Sequence, residues 1–306
     1  MSIFAGKRNF HATVFFFPGF ICAFKLFERH LRMTSIFVIL FLMSSTAFAT
    51  SIVAVRSNDE IVIGADSKTS LTPMLNNMTD PKGIEKCKIV QTGNIFFASA
   101  GFAGIGPAKF PGNIDPEFNI AEIIVNALKG EGSIECKVNN LEKILVANLS
   151  QIVEKERVEN AAFFADRFVR YPIFSIIVVG FDNDDLIIMD RTFKLIISPL
   201  GSLSFEIGRF ACPGDCQESF ITIFAGRTEA IRKFLHENNS YLLNTDATTA
   251  VSNLVEMEIA KDSSFVGPPI DILRLTRKGA EWIKRKSLCP DIQNNNIMPD
   301  GGSNIR

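Results

Sequence analysis

Thr50 is the residue whose type and position most directly make chemistry available. It follows Ala47-Phe48-Ala49, a small-x-small triplet of the kind a signal peptidase cuts. A cut after Ala49 would leave Thr50 first in the chain, with a free α-amine beside its own hydroxyl. Such an amine titrates near about 7.7–8.0 and is a usable base at neutral pH. Threonine paired with an N-terminal amine is an activated nucleophile. One cut would therefore export the chain and create both a nucleophile and its base.

Other hydrolytic arrangements find little support. Of the three histidines, His11 and His30 precede Ala49, and only His236 follows it. His236 lies in L-H-E-N-N-S, the polar end of an expected helix, and reads as a solvated side chain. A Ser-His-Asp or Cys-His mechanism would rest on that one residue, and a histidine-rich zinc site lacks ligands. No metal is expected.

The whole chain has 32 basic and 33 acidic residues. Residues 1–49 hold five of the basic ones and one acidic, which leaves 27 and 32 in the rest, net −5. With no basic run, neither nucleic acid nor an anionic membrane surface is an expected partner. An apolar content of 47% is that of an ordinary globular protein. Five cysteines follow Ala49, an odd number, so at least one is unpaired or paired between chains. Cys212-Pro-Gly-Asp-Cys216 has the wrong spacing for a C-x-x-C redox motif and reads as a local disulfide or two plain thiols.

The elements that must position Thr50 can be read in order. Residues 1–49 carry apolar runs at Val14–Phe24 and Ile36–Leu42, each short of the roughly 20 residues of a membrane helix. Lys25, Arg29 and Arg32 precede the second run, so 1–49 reads as a signal peptide. Met33 is an alternative start, with residues 1–32 an extension of the gene model. An uncleaved anchor is the competing reading.

Thr50–Arg56 and Ile61–Ala65 read as strands joined by a tight turn, neither alternating cleanly, so both faces are covered. Residues 67–85 read as a loop, followed by a hairpin of Lys88–Val90 and Ile95–Ala98. Helical spacing covers Glu117–Lys129 and Leu141–Val158. Strands follow near Ile173–Phe181, Leu186–Asp190, Phe193–Ile197 and Phe220–Phe224. Gly226 precedes a helix that runs to about Leu235, and Asp246 reads as the N-cap of another, Ala247–Ala260. A last strand, Ile270–Thr276, leads to Trp282, and residues 290–306 read as a flexible tail. This order predicts an α+β domain over 50–289, with two packed sheets and helices outside.

The run T-S-I-V-A-V-R, then V-I-G-A-D-S-K, K-I-V and A-G-F-A-G resembles the start of proteasome β-type subunits of the N-terminal nucleophile hydrolases. Bacterial two-component protease subunits of that superfamily are equally similar. The closing G-P-P-I-D-I-L-R-L-T-R-K-G resembles the family more loosely, and the middle matches only in element order. The resemblance implies a four-layer αββα sandwich.

It also implies roles. Thr50 matches the nucleophile, and its β-methyl restricts χ1 and so the direction of the hydroxyl. Asp66 matches the acid that ends the second strand and partners a lysine ammonium. Lys88 matches that lysine, with Lys86 and Lys82 as rivals because the preceding loop is long. Its cation would lower the hydroxyl's pKa. Gly101 matches the glycine whose N–H donates to a developing oxyanion, a role worth about 2.7–4 kcal/mol; it also permits a tight turn. Lys68 stands where the family often has arginine, and a surface lysine is the alternative.

Two departures stand out. The Ser-Gly turn of the family reads Ala225-Gly226 here, and alanine cannot hydrogen-bond the terminal amine. The family's Asp-x-x-Ser-Gly is replaced by K-D-S-S-F-V-G, where Asp262 offers the acid and Ser263 or Ser264 the hydroxyl.

The expected function is an exported, periplasmic or secreted, threonine peptidase or amidohydrolase acting on a peptide or amide without a cofactor. Interception of the acyl-enzyme by an amine would make it a transpeptidase. A catalytically silent binding or scaffold subunit is the alternative, and a homo-oligomer is possible. No stable membrane insertion is expected once 1–49 is removed.

Overall fold

In the computed structural model, the described residues are 50–289, apart from 70–83, 86, 103, 106–117, 160, 170, 184, 217–219, 264 and 288. The expected signal peptide over 1–49, the choice between Met1 and Met33, the expected tail 290–306, Lys82, Lys86 and Ser264 lie outside them.

The two apolar strands after Thr50 form the hairpin expected, β1 (Ser51–Arg56) and β2 (Glu60–Ala65), paired antiparallel with Ile52 opposite Ala65. Their lack of alternation has a direct cause. Ile52, Ala54, Ile61, Ile63 and Ala65 pack into one apolar cluster, whereas Val53, Val55 and Val62 pack into another on the opposite face. A strand covered on both sides has no solvent face to mark with polar residues.

Eight further strands complete two sheets. They are β3 (Ile89–Thr92), β4 (Ile95–Gly101), β5 (Phe174–Asp182), β6 (Asp185–Ile197), β7 (Leu203–Cys212), β8 (Ile221–Gly226), β9 (Asp271–Thr276) and β10 (Gly279–Lys284). One sheet has the order β8-β1-β2-β9-β10 and the other β7-β6-β5-β4-β3. Every pairing within these two sheets is antiparallel. An apolar layer including Ile52, Ile63, Phe96, Ile177, Ile188 and Leu273 lies between them.

Four helices have nine residues or more: α1 (Ile120–Leu128), α2 (Ile134–Glu159), α3 (Glu229–Glu237) and α4 (Ala247–Lys261). A short helical turn, Ala161–Phe164, runs into a π turn, Ala165–Val169. In α2 the buried Ile134, Val138, Leu141, Leu145, Leu149 and Val153 recur every three or four residues and meet Phe193 and Leu195 of β6. Buried Val251, Leu254 and Val255 of α4 meet Val53 and Val62.

These observations correct the expectation of a four-layer αββα sandwich. The architecture is mostly antiparallel β, two five-stranded sheets with only these four long helices among the described residues. The edge strands β7 and β10 are exposed or half-buried over nearly their whole length, so the helices do not form continuous outer layers.

Smaller corrections follow from local chemistry. Leu186–Asp190 and Phe193–Ile197 are one strand, because Arg191 and Thr192 continue the ladder and Arg191 is neutralised from α2. The helix expected from Leu141 starts about two turns earlier, at Ile134. The loop 67–85 contains a two-residue ladder of Lys68–Thr69 with Ile84–Glu85.

Cys212 and Cys216 form the local disulfide, Cys87 and Cys289 form a second across 202 residues, and Cys136 is a free, exposed thiol. No helix of the described residues is long and apolar enough to cross a membrane.

The contact of α4 with β2 gives a stability test. A Cβ added at Gly64 would lie 2.4 Å from Cγ1 of Val251, a stiff β-branched side chain on the helix. Gly64→Ala should therefore lower the unfolding free energy by about 1–3 kcal/mol in urea titration, whereas unchanged stability would mean the helix is not seated so closely.

Candidate active site

Asp66 follows directly on β2, and its backbone N–H donates to the Ser51 carbonyl at 3.2 Å, extending the hairpin ladder by one residue. This turns a 0% exposed carboxylate back toward the start of β1. Oδ1 accepts from Ser51 N at 2.9 Å; Oδ2 accepts from Lys68 N at 2.9 Å and Gly267 N at 3.1 Å. Three separate chain segments are thereby fixed on one side chain.

Thr50 sits at the head of β1 and is 4% exposed. Lys88 Nζ donates to Thr50 Oγ1 at 2.7 Å. The same lysine acts electrostatically on Asp66, so hydroxyl, ammonium and carboxylate form one connected group. Burial pushes the Asp66 carboxyl up to about 6, against the pull of Lys88 and of its three N–H donors. At neutral pH it is ionised and balances the lysine charge.

The carbonyl of Thr50 is held just as closely. Arg227 N donates to it at 2.8 Å. Gly226, at φ +79°, makes this possible: a Cβ there would stand 2.0 Å from Thr50 O and 3.0 Å from the methyl of Ala100. The end of β4 is thus brought beside Thr50. Gly101 comes next, at φ +107°, where a Cβ would meet Ile173 O at 2.4 Å, so only glycine fits this turn. It lies one residue beyond Ala100, on the strand that approaches Thr50.

The supporting residues take defined places. Lys68 Nζ donates to the Ser263 carbonyl at 2.8 Å, and its stem lies against Gly267. Ser263 therefore meets Lys68 through its backbone. Asp262 pairs with Arg227 at 2.9 Å, and the Arg227 guanidinium lies 4.6 Å from the Phe265 ring centroid. Ala225 is 4% exposed and packs between the sheets. Exposed His236 ends α3.

The sequence reading missed Arg227, Lys286 and Cys289. Arg227 follows directly on Ala225-Gly226, a signal within reach. Lys286 Nζ makes a buried ion pair with Asp271 at 2.7 Å and reaches the Asp66 carbonyl at 3.5 Å. Cys289, whose N–H donates to the Lys286 carbonyl at 3.0 Å, is bonded to Cys87 next to Lys88. The last described segment therefore braces both the acid and the lysine. Among the described residues no three His, Cys, Asp or Glu side chains gather as a metal site.

The group can polarise a threonine hydroxyl: an ammonium at hydrogen-bond distance favours the alkoxide, and the buried carboxylate keeps that ammonium charged. In the uncut chain the nitrogen of Thr50 is a peptide amide and no base. Compared with protein-family models and with curated proteins, the chain matches none.

The Asp66 shift sets a pH dependence of stability. An unfolded aspartate titrates near about 3.9, the folded one near about 6. The native state therefore holds its proton longer, and stability falls as pH rises between these values, by on the order of 2–3 kcal/mol for this group. Asp190 adds a slope of the same sign. Urea titrations from pH 4 to pH 7 should give a shallower fall for Asp66→Asn; an identical slope would contradict the buried-charge account.

Proposed function

We propose that the chain is an exported threonine hydrolase of the N-terminal nucleophile type, acting on peptide or amide bonds after a cut between Ala49 and Thr50. The observation that carries this reading is the 2.7 Å contact of Lys88 Nζ with Thr50 Oγ1, with buried Asp66 as counter-charge. The likeness of the Thr50–Gly104 motifs to proteasome β-type subunits supports the same reading.

The chemistry follows from the freed amine. It accepts the hydroxyl proton as Oγ1 bonds to the substrate carbonyl carbon. Lys88 stabilises the negative charge that Oγ1 gains as its proton leaves. The oxyanion that forms takes a hydrogen bond from the Gly101 N–H. Collapse breaks the C–N bond, the leaving amine takes the proton, and an ester on Thr50 remains. Water then cleaves the ester and restores the hydroxyl. An amine in place of water gives transpeptidation through the same ester.

Export is supported by two disulfides, which persist in oxidising compartments. Arg227 and Asp262 replace the usual serine turn at the amine: the Arg227 N–H fixes the Thr50 backbone, and Asp262 holds the guanidinium in place. The second reading, a silent scaffold subunit, is favoured by Ala225, which offers no hydroxyl to the amine.

An epoxyketone or β-lactone probe separates the two. The mature protein should be labelled at Thr50. Lys88→Ala should slow labelling by about 10²-fold or more, a loss on the scale of deleting one electrostatic donor. Absence of labelling in correctly cut protein would favour the scaffold.

A further inference from the structure

The inner face of the second sheet carries a polar group that the proposed reaction does not use. Across this sheet Ala100 pairs with Ser175 and Ser175 with Thr192. Thr192 Oγ1 lies 3.1 Å from Ser175 Oγ and donates to Asp190 Oδ2 at 3.4 Å. Alternation on β6 fixes the facing: Ile188 packs between the sheets, and Asp190 and Thr192 point the same way, while Met189 and Phe193 pack toward α2.

One end of this row lies near Thr50. Ala100, at one end of the row, is the residue whose methyl sits against Gly226 and the Thr50 carbonyl. Adjacent strands are about 4.8 Å apart, so Thr192 stands about 10 Å from Ala100, with Ser175 between. Asp190 lies two residues further along β6, opposite Ile177, so a fully extended lysine or arginine side chain meets it only through the combined reach of both side chains and the hydrogen bond between them. At this end the apolar layer between the sheets gives way to hydroxyls and one carboxylate.

Asp190 is the unexplained member. Its Oδ1 is buried and finds no hydrogen-bond partner among the described residues. A buried carboxylate oxygen left without a hydrogen-bond donor is unfavourable, because it has given up its water and gained nothing in return. Burial also pushes its carboxyl up to about 6, against the Thr192 hydrogen bond and the Arg191 charge, so it is anionic at neutral pH. The Arg191 side chain is turned to the other face, to Glu142 and Asn139 of α2.

We propose that Asp190, with Thr192 and Ser175, forms a specificity subsite for a cationic side chain, lysine or arginine, flanking the bond that Thr50 attacks. The subsite rests on the hydrolase reading for its role, but binding tests it separately. The cation would supply the partner Oδ1 lacks, and the two hydroxyls would complete its shell.

The experiment compares two peptide amides that differ only in lysine against norleucine beside the scissile bond. In the mature protein the lysine peptide should be cleaved with a kcat/KM at least about tenfold higher. Asp190→Asn should remove that preference, so that the two peptides are cleaved at the same rate. Asp190→Glu, which keeps the charge, should retain part of the preference. Calorimetric binding of both peptides to the uncut Thr50→Ala chain, with and without Asp190→Asn, reads the subsite without turnover. Equal binding and equal cleavage of the two peptides by protein with native Asp190 would overturn the subsite and leave the nucleophile standing. Loss of cleavage and labelling with lysine-selective binding intact would overturn the hydrolase reading instead.

Discussion

The structure depends most on the burial of one carboxylate. Asp66 accepts backbone N–H groups from Ser51, Lys68 and Gly267. These come from the first strand, the segment after the second, and the approach to the ninth. A buried anion is unfavourable unless donors surround it, and here the donors are the chain itself. The same charge lies within reach of Lys88, and through Lys88 it reaches the Thr50 hydroxyl. Fold closure and polarisation of the Thr50 hydroxyl are therefore one interaction seen from two sides.

Around that carboxylate the other contacts limit how Thr50 can move. Gly226 and Arg227 hold its carbonyl from the β8 side, and Arg227 is itself fixed by Asp262 and Phe265. The Lys286–Asp271 pair braces the Asp66 backbone, and the disulfide to Cys87 ties the same segment beside Lys88. Removing one partner of a buried pair leaves the other charge uncompensated, which is why such braces hold position strictly. In the proposed reaction, a hydroxyl aimed by packing and hydrogen bonds would lose little entropy on reaching its reactive geometry.

Much of the frame was legible because its causes are local. The β1–β2 hairpin announces itself by apolar runs around a polar turn, and Asp246 by capping its helix through Thr249 N at 2.9 Å. Strand β7 was missed although Leu203, Phe205 and Ile207 alternate, because Glu206, Gly208 and Arg209 break up its apolar character. The first turns of α2 were missed because E-C-K-V-N-N is polar around its two anchors, Ile134 and Val138. The expected sandwich failed at the edges, where strands without helix cover carry exposed side chains that composition does not assign to a layer. At the site, Thr50, Asp66 and Lys88 were readable as a motif, and the structure brings them together. The Cys87–Cys289 bridge and the Lys286 brace were not, since 202 and 220 residues separate their ends. Asp190 was invisible as well, because an aspartate near a strand end in sequence is ordinary until its neighbours across the sheet are known.

The account stands on Thr50 becoming the first residue. The most direct measurement is the mass of the N-terminal peptide from protein recovered after export. A peptide beginning Thr50-Ser51-Ile52 with an unmodified amine is the result the account predicts. A mature chain starting at Ser51 or elsewhere, or one still carrying Ala49, would contradict it, because the hydroxyl beside Lys88 would then have no amine of its own to take its proton.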